Sequence, residues 1–248
     1  MIPKIIHHTA PTNKNKWHPI WTRCLDSWKR WFPETEYLHM MWNDEDIDRL
    51  IAESYPSYWN LYQSFACHII KIDFARHAML HLHGGIYVDM DLFCYKNFYD
   101  ELDNDTVMLE ALAVDEILQN SMMISSKENG FMIYCMDECM RNFYPYDERL
   151  GISHYVKDIC GPYHTSRCYK KYPRKIKVLD GARFNPSLDK YDESFVTKHM
   201  LTGLWGKEAI DVINNEVQSD ESFSEFVKVR YLENRGVDLN TYNFYKNY

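Results

Sequence analysis

Asp89 and Asp91 are the pair in this chain best placed to hold a divalent cation, in the stretch His83-Gly84-Gly85-Ile86-Tyr87-Val88-Asp89-Met90-Asp91-Leu92. Two hard oxygen donors side by side suit Mg²⁺ or Mn²⁺, ions that keep further positions for waters and phosphate oxygens. The chemistry in outline is that of a diphosphate site. The spacing alone says little, because Asp44/Asp46, Asp46/Asp48 and Asp103/Asp105 share it in polar surroundings that read as solvated helix starts or turns. Context separates the pair at 89 and 91: a glycine stop, an apolar run, then acids where the run emerges. Charges at the end of a buried strand are costly unless paired or bound to metal.

The elements around this pair follow from local chemistry. Gly84 and Gly85 stop a helix, since glycine accepts a left-handed backbone without a Cβ penalty. Ile86-Tyr87-Val88 is β-branched and aromatic and predicts a short buried strand. In a strand, residues two apart point to the same side, so both carboxylates are expected to reach one ligand. The segment 66–83 is apolar nearly all round, as a buried helix would be, and within it Asp73 and Arg76 share a face. If the strand folds back along the helix, Asp89 lies roughly 13 Å past the glycine corner at ~3.3 Å per residue. Arg76 lies about 12 Å and Asp73 about 16 Å before it, at ~1.5 Å per residue. All three then come abreast. A plain structural ion pair between Asp73 and Arg76 is the competing reading, and spacing leaves it open.

The pattern Asp73-x-x-Arg76 followed by Gly84-Gly85-Ile86-Tyr87-x-Asp89-x-Asp91 resembles the DxD-containing sugar-binding glycosyltransferases, glycosyltransferase family 32. That family is related to fungal α-1,6-mannosyltransferases, bacterial capsular glycosyltransferases and the core of glucosylating toxins. Further segments resemble it in order: Ile2-Pro3-Lys4-Ile5-Ile6-His7, then Gly161-Pro162, then His199 to Trp205. The resemblance implies an α/β GT-A (Rossmann-like) domain with a mixed central sheet. It also implies transfer of a hexose from a UDP- or GDP-sugar to a glycan or other hydroxyl acceptor, with retention of configuration and Mn²⁺ or Mg²⁺ as cofactor. In that reading Asp91 is the more direct metal ligand. Asp89 is shared between metal, ribose and donor sugar, while Asp73 and Arg76 hold sugar hydroxyls. Gly84, Gly85 and Tyr87 of the motif count among the donor-binding positions. His7 and Thr9 are candidates for the base pocket, against the reading that they merely end a strand. Asn120 is a candidate for the donor sugar, with a plain loop asparagine as the alternative. His199 is a candidate metal ligand, and Thr202, Gly203 and Trp205 form a loop suited to the leaving diphosphate. Leu204 departs from the serine common in the family and weakens that closing motif.

Composition narrows the class. At 248 residues the chain is long enough for one α/β domain, expected over 1–248 with 206–248 as a helical C-terminal extension. Hydrophobic residues at 46% and aromatics at 15% exclude disorder, and no window approaches a membrane span. The start runs directly into a strand, which predicts no signal peptide and a cytoplasmic location. Seven scattered cysteines do not form a disulfide framework, and Cys135 and Cys139, at i,i+4, read as core. A net charge of −8 argues against nucleic acid and makes a cation more necessary for binding a diphosphate.

The remaining chain supports that frame. Apolar residues at helical spacing over 17–31, interleaved with Lys16, Arg23, Lys29 and Arg30, predict a packed helix whose basic face offers a peripheral membrane contact through 14–31. Residues 37–42 read as a strand, with Asn43 capping the next helix. Strands are expected over 107–111, 121–125 and 175–179, a helix over 129–143, and another from Gly161-Pro162 carrying Arg167, Lys170 and Lys171. Two other classes stay open: a catalytically silent sugar-nucleotide binder and a metal-dependent phosphohydrolase, although two-metal hydrolases need more ligands than these residues supply.

Overall fold

The computed structural model describes residues 1–102, 107–110, 118–186 and 193–200. The chain enters through β1 (Ile5–Thr9) and crosses by α1 (Pro19–Trp31) to β2 (Leu38–Trp42), which pairs parallel to β1. Pro19 opens α1, and His18 caps it by accepting the Ile20 N–H at Nδ1, 3.2 Å away. Asn43 and Asp46 form a reciprocal capping box at the start of α2 (Asp44–Ser54), and the acids there meet the positive helix end.

After the short α3 (Trp59–Gln63) comes α4 (His68–His83), buried nearly all round from Ile70 to Leu80 as its composition predicts. Gly84 ends α4 at φ 66° and Gly85, at φ 102°, opens β3 (Gly85–Val88). A Cβ on Gly85 would stand 2.5 Å from the Ile5 carbonyl oxygen. Strain and clash therefore act together, and Gly85→Ala is expected to cost about 1–3 kcal/mol or more. A urea midpoint that does not fall would contradict that.

The second half contributes β4 (Leu92–Cys94), β5 (Val107–Glu110), β6 (Leu118–Ser125), α5 (Gly130–Asn142), α6 (Ile152–Ile159) and α7 (Pro162–Lys171). It closes with β7 (Lys177–Leu179), α8 (Gly181–Phe184) and β8 (Thr197–His199). Asn129 caps α5 and Gly161 precedes α7, as their residue types predict. The main sheet has the order β2-β1-β3-β6-β5-β7, with β6 antiparallel to both neighbours and every other pairing parallel. β4 and β8 form a separate antiparallel ribbon. The result is the mixed α/β sheet expected of a GT-A domain.

Both faces of the sheet are covered. Tyr87 and Met123 face α2 to α7, while Ile86, Val88, Met122 and Ile124 face Trp28 and Phe32 of α1 together with Phe98 and Phe184. Alternation along β3 thus sends its residues into two cores. Cys135 and Cys139 are buried, as expected, and the seven cysteines are free thiols. Several boundaries moved, among them the starts of α1 at Pro19 and β7 at Lys177. α4 begins at His68, and β6 starts at Leu118, so Asn120 lies in the sheet and not in a loop. The proposed extension 206–248 lies outside the described residues.

Candidate metal centre

A turn, not strand alternation, brings the two acids together. β3 ends at Val88, and Leu92 N–H closes the next turn onto the Asp89 carbonyl at 3.1 Å. The expectation that Asp89 and Asp91 share one side of a strand is corrected in that respect; the turn still aims both at one place. β4 leaves this turn and pairs with β8, Leu92 opposite His199. His199 Nε2 consequently sits 3.1 Å from Asp91 Oδ1. One ligand atom each from Asp89, Asp91 and His199 lie within 4.8 Å of one another. Trp28 Nε1 donates to the Leu92 carbonyl at 2.7 Å and the Cys94 N–H to Ser27 Oγ at 2.9 Å, so α1 pins the ribbon that carries His199. His18 at the head of α1 also lies within the field of Asp91.

Behind the turn is a buried ionic network. Arg76 Nη2 stands 2.8 Å from Asp73 Oδ1 and 3.4 Å from Asp89 Oδ1, while Nη1 donates to the Asn120 carbonyl. Asn120 Nδ2 in turn donates to Asp73 Oδ1 at 3.0 Å. The guanidinium lies over the Tyr87 ring at 4.5 Å. Tyr87 donates its hydroxyl to Asp89 Oδ1 at 2.8 Å and lies 3.0 Å from Thr9 Oγ1. The three charged groups come abreast as the fold-back geometry predicts. Arg76 and Asp73, however, are only 2% and 4% exposed. Most of their polar atoms brace Asp89 and Asn120, while Arg76 Nε is buried without a hydrogen-bond partner among the described residues; the expected hold of Asp73 and Arg76 on sugar hydroxyls stays a proposal.

Electrostatics favours a cation in front of this network. Burial raises the Asp89 carboxyl pKa, Arg76 opposes the rise, and the nearby Asp91 carboxylate adds to it. Burial pushes Asp73 up to about 6 in spite of Arg76. Burial lowers His199, but the Asp91 carboxylate it bonds, with Asp89 beside it, raises it on balance. Two acids and an imidazole held this close repel or trap protons when alone, and a dication relieves that conflict. Two carboxylate oxygens and one imidazole nitrogen fit Mn²⁺ or Mg²⁺ with positions left for water and phosphate.

Other candidates land elsewhere. Gly84 and Gly85 sit at the opposite end of β3 from the acids, packed on Pro3, Ile5 and the Lys127 backbone. Their role is to permit the corner, and a donor-binding role is not supported. His7 is fully buried, with Nε2 2.8 Å from the Gly84 carbonyl and Nδ1 accepting from Trp42 Nε1 at 3.1 Å. It is core and does not line a base pocket. Thr9, Tyr87 and Asn120 do reach the site, through Asp89 and Asp73. Thr202, Gly203, Leu204 and Trp205 lie outside the described residues. Sequence reasoning missed the Thr9–Tyr87–Asp89 chain and the β4–β8 pairing, since both join residues far apart in the chain.

The buried imidazoles make stability pH-dependent. Burial lowers His7 to about 4 and His77 to about 3, against an ordinary value of 6.5. Below pH 6.5 the unfolded chain takes up protons that these folded imidazoles refuse, so stability is lost as pH falls. The slope is about 1.4 kcal/mol per pH unit for each such group. His8, His18, His39, His81 and His83 shift the same way. Asp73, Asp89, His164 and His199 shift oppositely and are fewer. The urea midpoint is expected to be lower at pH 5 than at pH 7; equal midpoints would contradict it.

Residues 19–122 match the family described as the glycosyltransferase sugar-binding region containing a DXD motif. Inositol phosphoceramide mannosyltransferase 3 of Schizosaccharomyces pombe is 38% identical over 95 residues, 38% of this chain and 25% of that protein. Mannosyl phosphorylinositol ceramide synthase CSH1 of Saccharomyces cerevisiae is 28% identical over 180 residues, 70% of this chain and 44% of that protein. The chain thus spans less than half the length of these relatives. Among solved structures, the PaToxG glycosyltransferase aligns with a TM-score of 0.47 at 18% identity, covering 69% of this chain and 70% of that one. A glycosyltransferase involved in glycosylation of the major capsid of PBCV-1 aligns with a TM-score of 0.44 at 13% identity, over 91% of this chain and 100% of that one.

Proposed function

We propose, from the match of residues 19–122 to the glycosyltransferase sugar-binding region containing a DXD motif, that this chain is a glycosyltransferase that moves a hexose from a nucleoside-diphosphate sugar to a hydroxyl acceptor, metal-dependently and with retention. The observation that carries the reading is the convergence of Asp89, Asp91 and His199 within 4.8 Å at the carboxyl end of β3. The relatives' printed activity, mannosyl transfer, supports mannose as the hexose.

Breaking a sugar–phosphate bond places negative charge on the departing diphosphate, and stabilising that charge is the main catalytic task. When bound, a divalent cation supplies Lewis-acid stabilisation of the phosphate oxygens. Asp91 and His199 would hold it from the ribbon side and Asp89 from the sheet side. Tyr87 and Arg76 fix the Asp89 carboxylate, so its orientation costs no reorganisation during the reaction. Arg76 adds a fixed positive charge 3.4 Å behind Asp89. Asp73 and Asp89 both spend oxygens on Arg76 and its neighbours. That engagement favours a front-face route in which a leaving-group oxygen takes the acceptor proton. A peripheral membrane contact through 14–31 belongs to the same proposal; Trp31 is 41% exposed beside the exposed Arg30.

The test is a thermal-shift screen of UDP- and GDP-sugars with Mn²⁺, followed by product analysis. A shift that requires the metal, with nucleoside diphosphate released faster when acceptor is added, is the expected result. Release of inorganic phosphate would indicate a hydrolase, and a shift without turnover a silent binder.

A further inference from the structure

α5, α6 and α7 bring four cysteines and a histidine together on the α4 side of the sheet, and the proposed transfer chemistry uses none of them. Cys135 and Cys139 lie one turn apart on α5, both buried. Cys160 caps the end of α6, and His164 and Cys168 follow it at four-residue steps along α7, which places the latter two on one helix face. That face packs on α5, where the Cys135 side chain is hydrogen-bonded to Cys168. The Cys139 side chain is bonded in the same way to Cys160. Each pair thus holds two sulfurs side by side, and a bond between Cys135 and Cys168 would tie two helices that already touch.

The two pairs differ in their polar company. His164 Nε2 stands 2.9 Å from the Cys135 carbonyl oxygen and 3.4 Å from Cys168 Sγ. A carbonyl oxygen only accepts, so Nε2 carries a hydrogen and meets Cys168 as a donor. Cys168 also takes the hydrogen bond of Cys135, and a sulfur on the accepting side of two contacts is held as a thiolate. Its thiol is accordingly lowered, first by Cys135 and then, against burial, by His164, while burial and the bond it gives raise Cys135. Cys139 is lowered by Cys160 as well, but among the described residues no imidazole nitrogen stands within hydrogen-bond distance of it. Burial sets the size of any reagent: Cys168 is 1% exposed, which shuts out bulky disulfides. It lies in the last turn of α7, where helices fray, and that opening suffices for a molecule close to water in size.

We propose that Cys168 and Cys135 form a dithiol site oxidised by hydrogen peroxide, with Cys168 as the attacking sulfur and Cys135 as the resolving one. In the first step the Cys168 sulfur attacks one peroxide oxygen and the O–O bond breaks. The departing hydroxide takes up the Cys168 thiol proton and leaves as water, and Cys168 becomes a sulfenic acid. In the second step the Cys135 sulfur attacks Cys168, the S–O bond breaks, and that hydroxide leaves as a second water with the Cys135 proton. The two sulfurs together lose two electrons and the peroxide gains them. Neither cysteine touches the metal centre, so this chemistry stands whether or not the chain transfers a sugar.

The test treats the folded full chain with stoichiometric hydrogen peroxide, blocks the remaining thiols and maps linked peptides by mass spectrometry. The wild-type chain is expected to give a link between Cys135 and Cys168 as its main product, reversed by a thiol reductant. In Cys135→Ser the reaction should stop at Cys168, where dimedone traps the sulfenic acid. Cys168→Ser should slow the oxidation of Cys135 by about tenfold or more, because the thiolate reacts and the thiol does not. Unfolding temperature checks both variants, and the wild-type map decides alone should either fail to fold. A link between Cys139 and Cys160 instead, oxidation that appears only in urea, or thiols that react only after a chelator has stripped a metal from the cluster would overturn the assignment.

Discussion

Asp91→Asn should lower metal-dependent release of nucleoside diphosphate by about 10²–10³-fold or more, the range lost when one charge-stabilising group is removed from an active site. The substitution keeps the shape of the side chain and the backbone bond from Met200 N–H to the residue 91 carbonyl, 2.8 Å in the native protein. It removes the negative oxygen that faces both His199 and the cation position. It also relieves repulsion against Asp89, whose pKa Asp91 helps to raise. Unfolding temperature should therefore hold or rise while Mn²⁺ affinity falls. That separation matters, because a loss of activity with a loss of fold would say nothing about the metal. Retained Mn²⁺-dependent turnover in this variant would remove the basis of the proposed mechanism.

The second large effect is on stability. Arg76→Met is expected to destabilise the protein by about 3–5 kcal/mol, the cost of removing one partner of a buried ion pair. At ~2–4 °C per kcal/mol for a chain of this size, the unfolding temperature should fall by roughly 6–20 °C. Arg76 is 2% exposed and compensates Asp73 and Asp89 together, at 2.8 Å and 3.4 Å. Burial opposes its charge, yet Asp89, Tyr87 and Asp73 raise its pKa, so the guanidinium stays protonated. Without it, two carboxylates remain in a space that already pushes Asp73 up to about 6. They must take up protons to stay buried, so the folded variant binds more protons than the unfolded chain and gains stability as pH falls. The loss should be smaller at pH 5 than at pH 8. A loss that is small and independent of pH would mean that the network is not the brace described above.

Local chemistry was legible without the fold. The glycine corner, the buried strand after it, the buried helix before it, the cap at Asn43, the helix start at Gly161-Pro162 and the meeting of Arg76 with Asp89 all follow from side-chain type and rise per residue. These involve near neighbours or one fold-back at a marked glycine, where backbone geometry leaves little choice. His7, Gly84 and Gly85 were misplaced because the resemblance assigned them by motif, while their partners are Trp42, Pro3 and Ile5 across the sheet.

What the sequence by itself determined is the inventory: two acids after a short strand, an Asp–Arg pair one helix turn apart, a histidine near residue 200, and a chain acidic enough to need a cation for a diphosphate. Tertiary structure alone decided which of these act together. It set His199 against Asp91 through the pairing of β4 with β8, and it turned Asp73 and Arg76 inward to brace Asp89. The reason is physical: the pairing of β4 with β8, which brings His199 to Asp91 across 108 residues of chain, depends on shared burial and hydrogen bonding within the ribbon, quantities that no local spacing encodes.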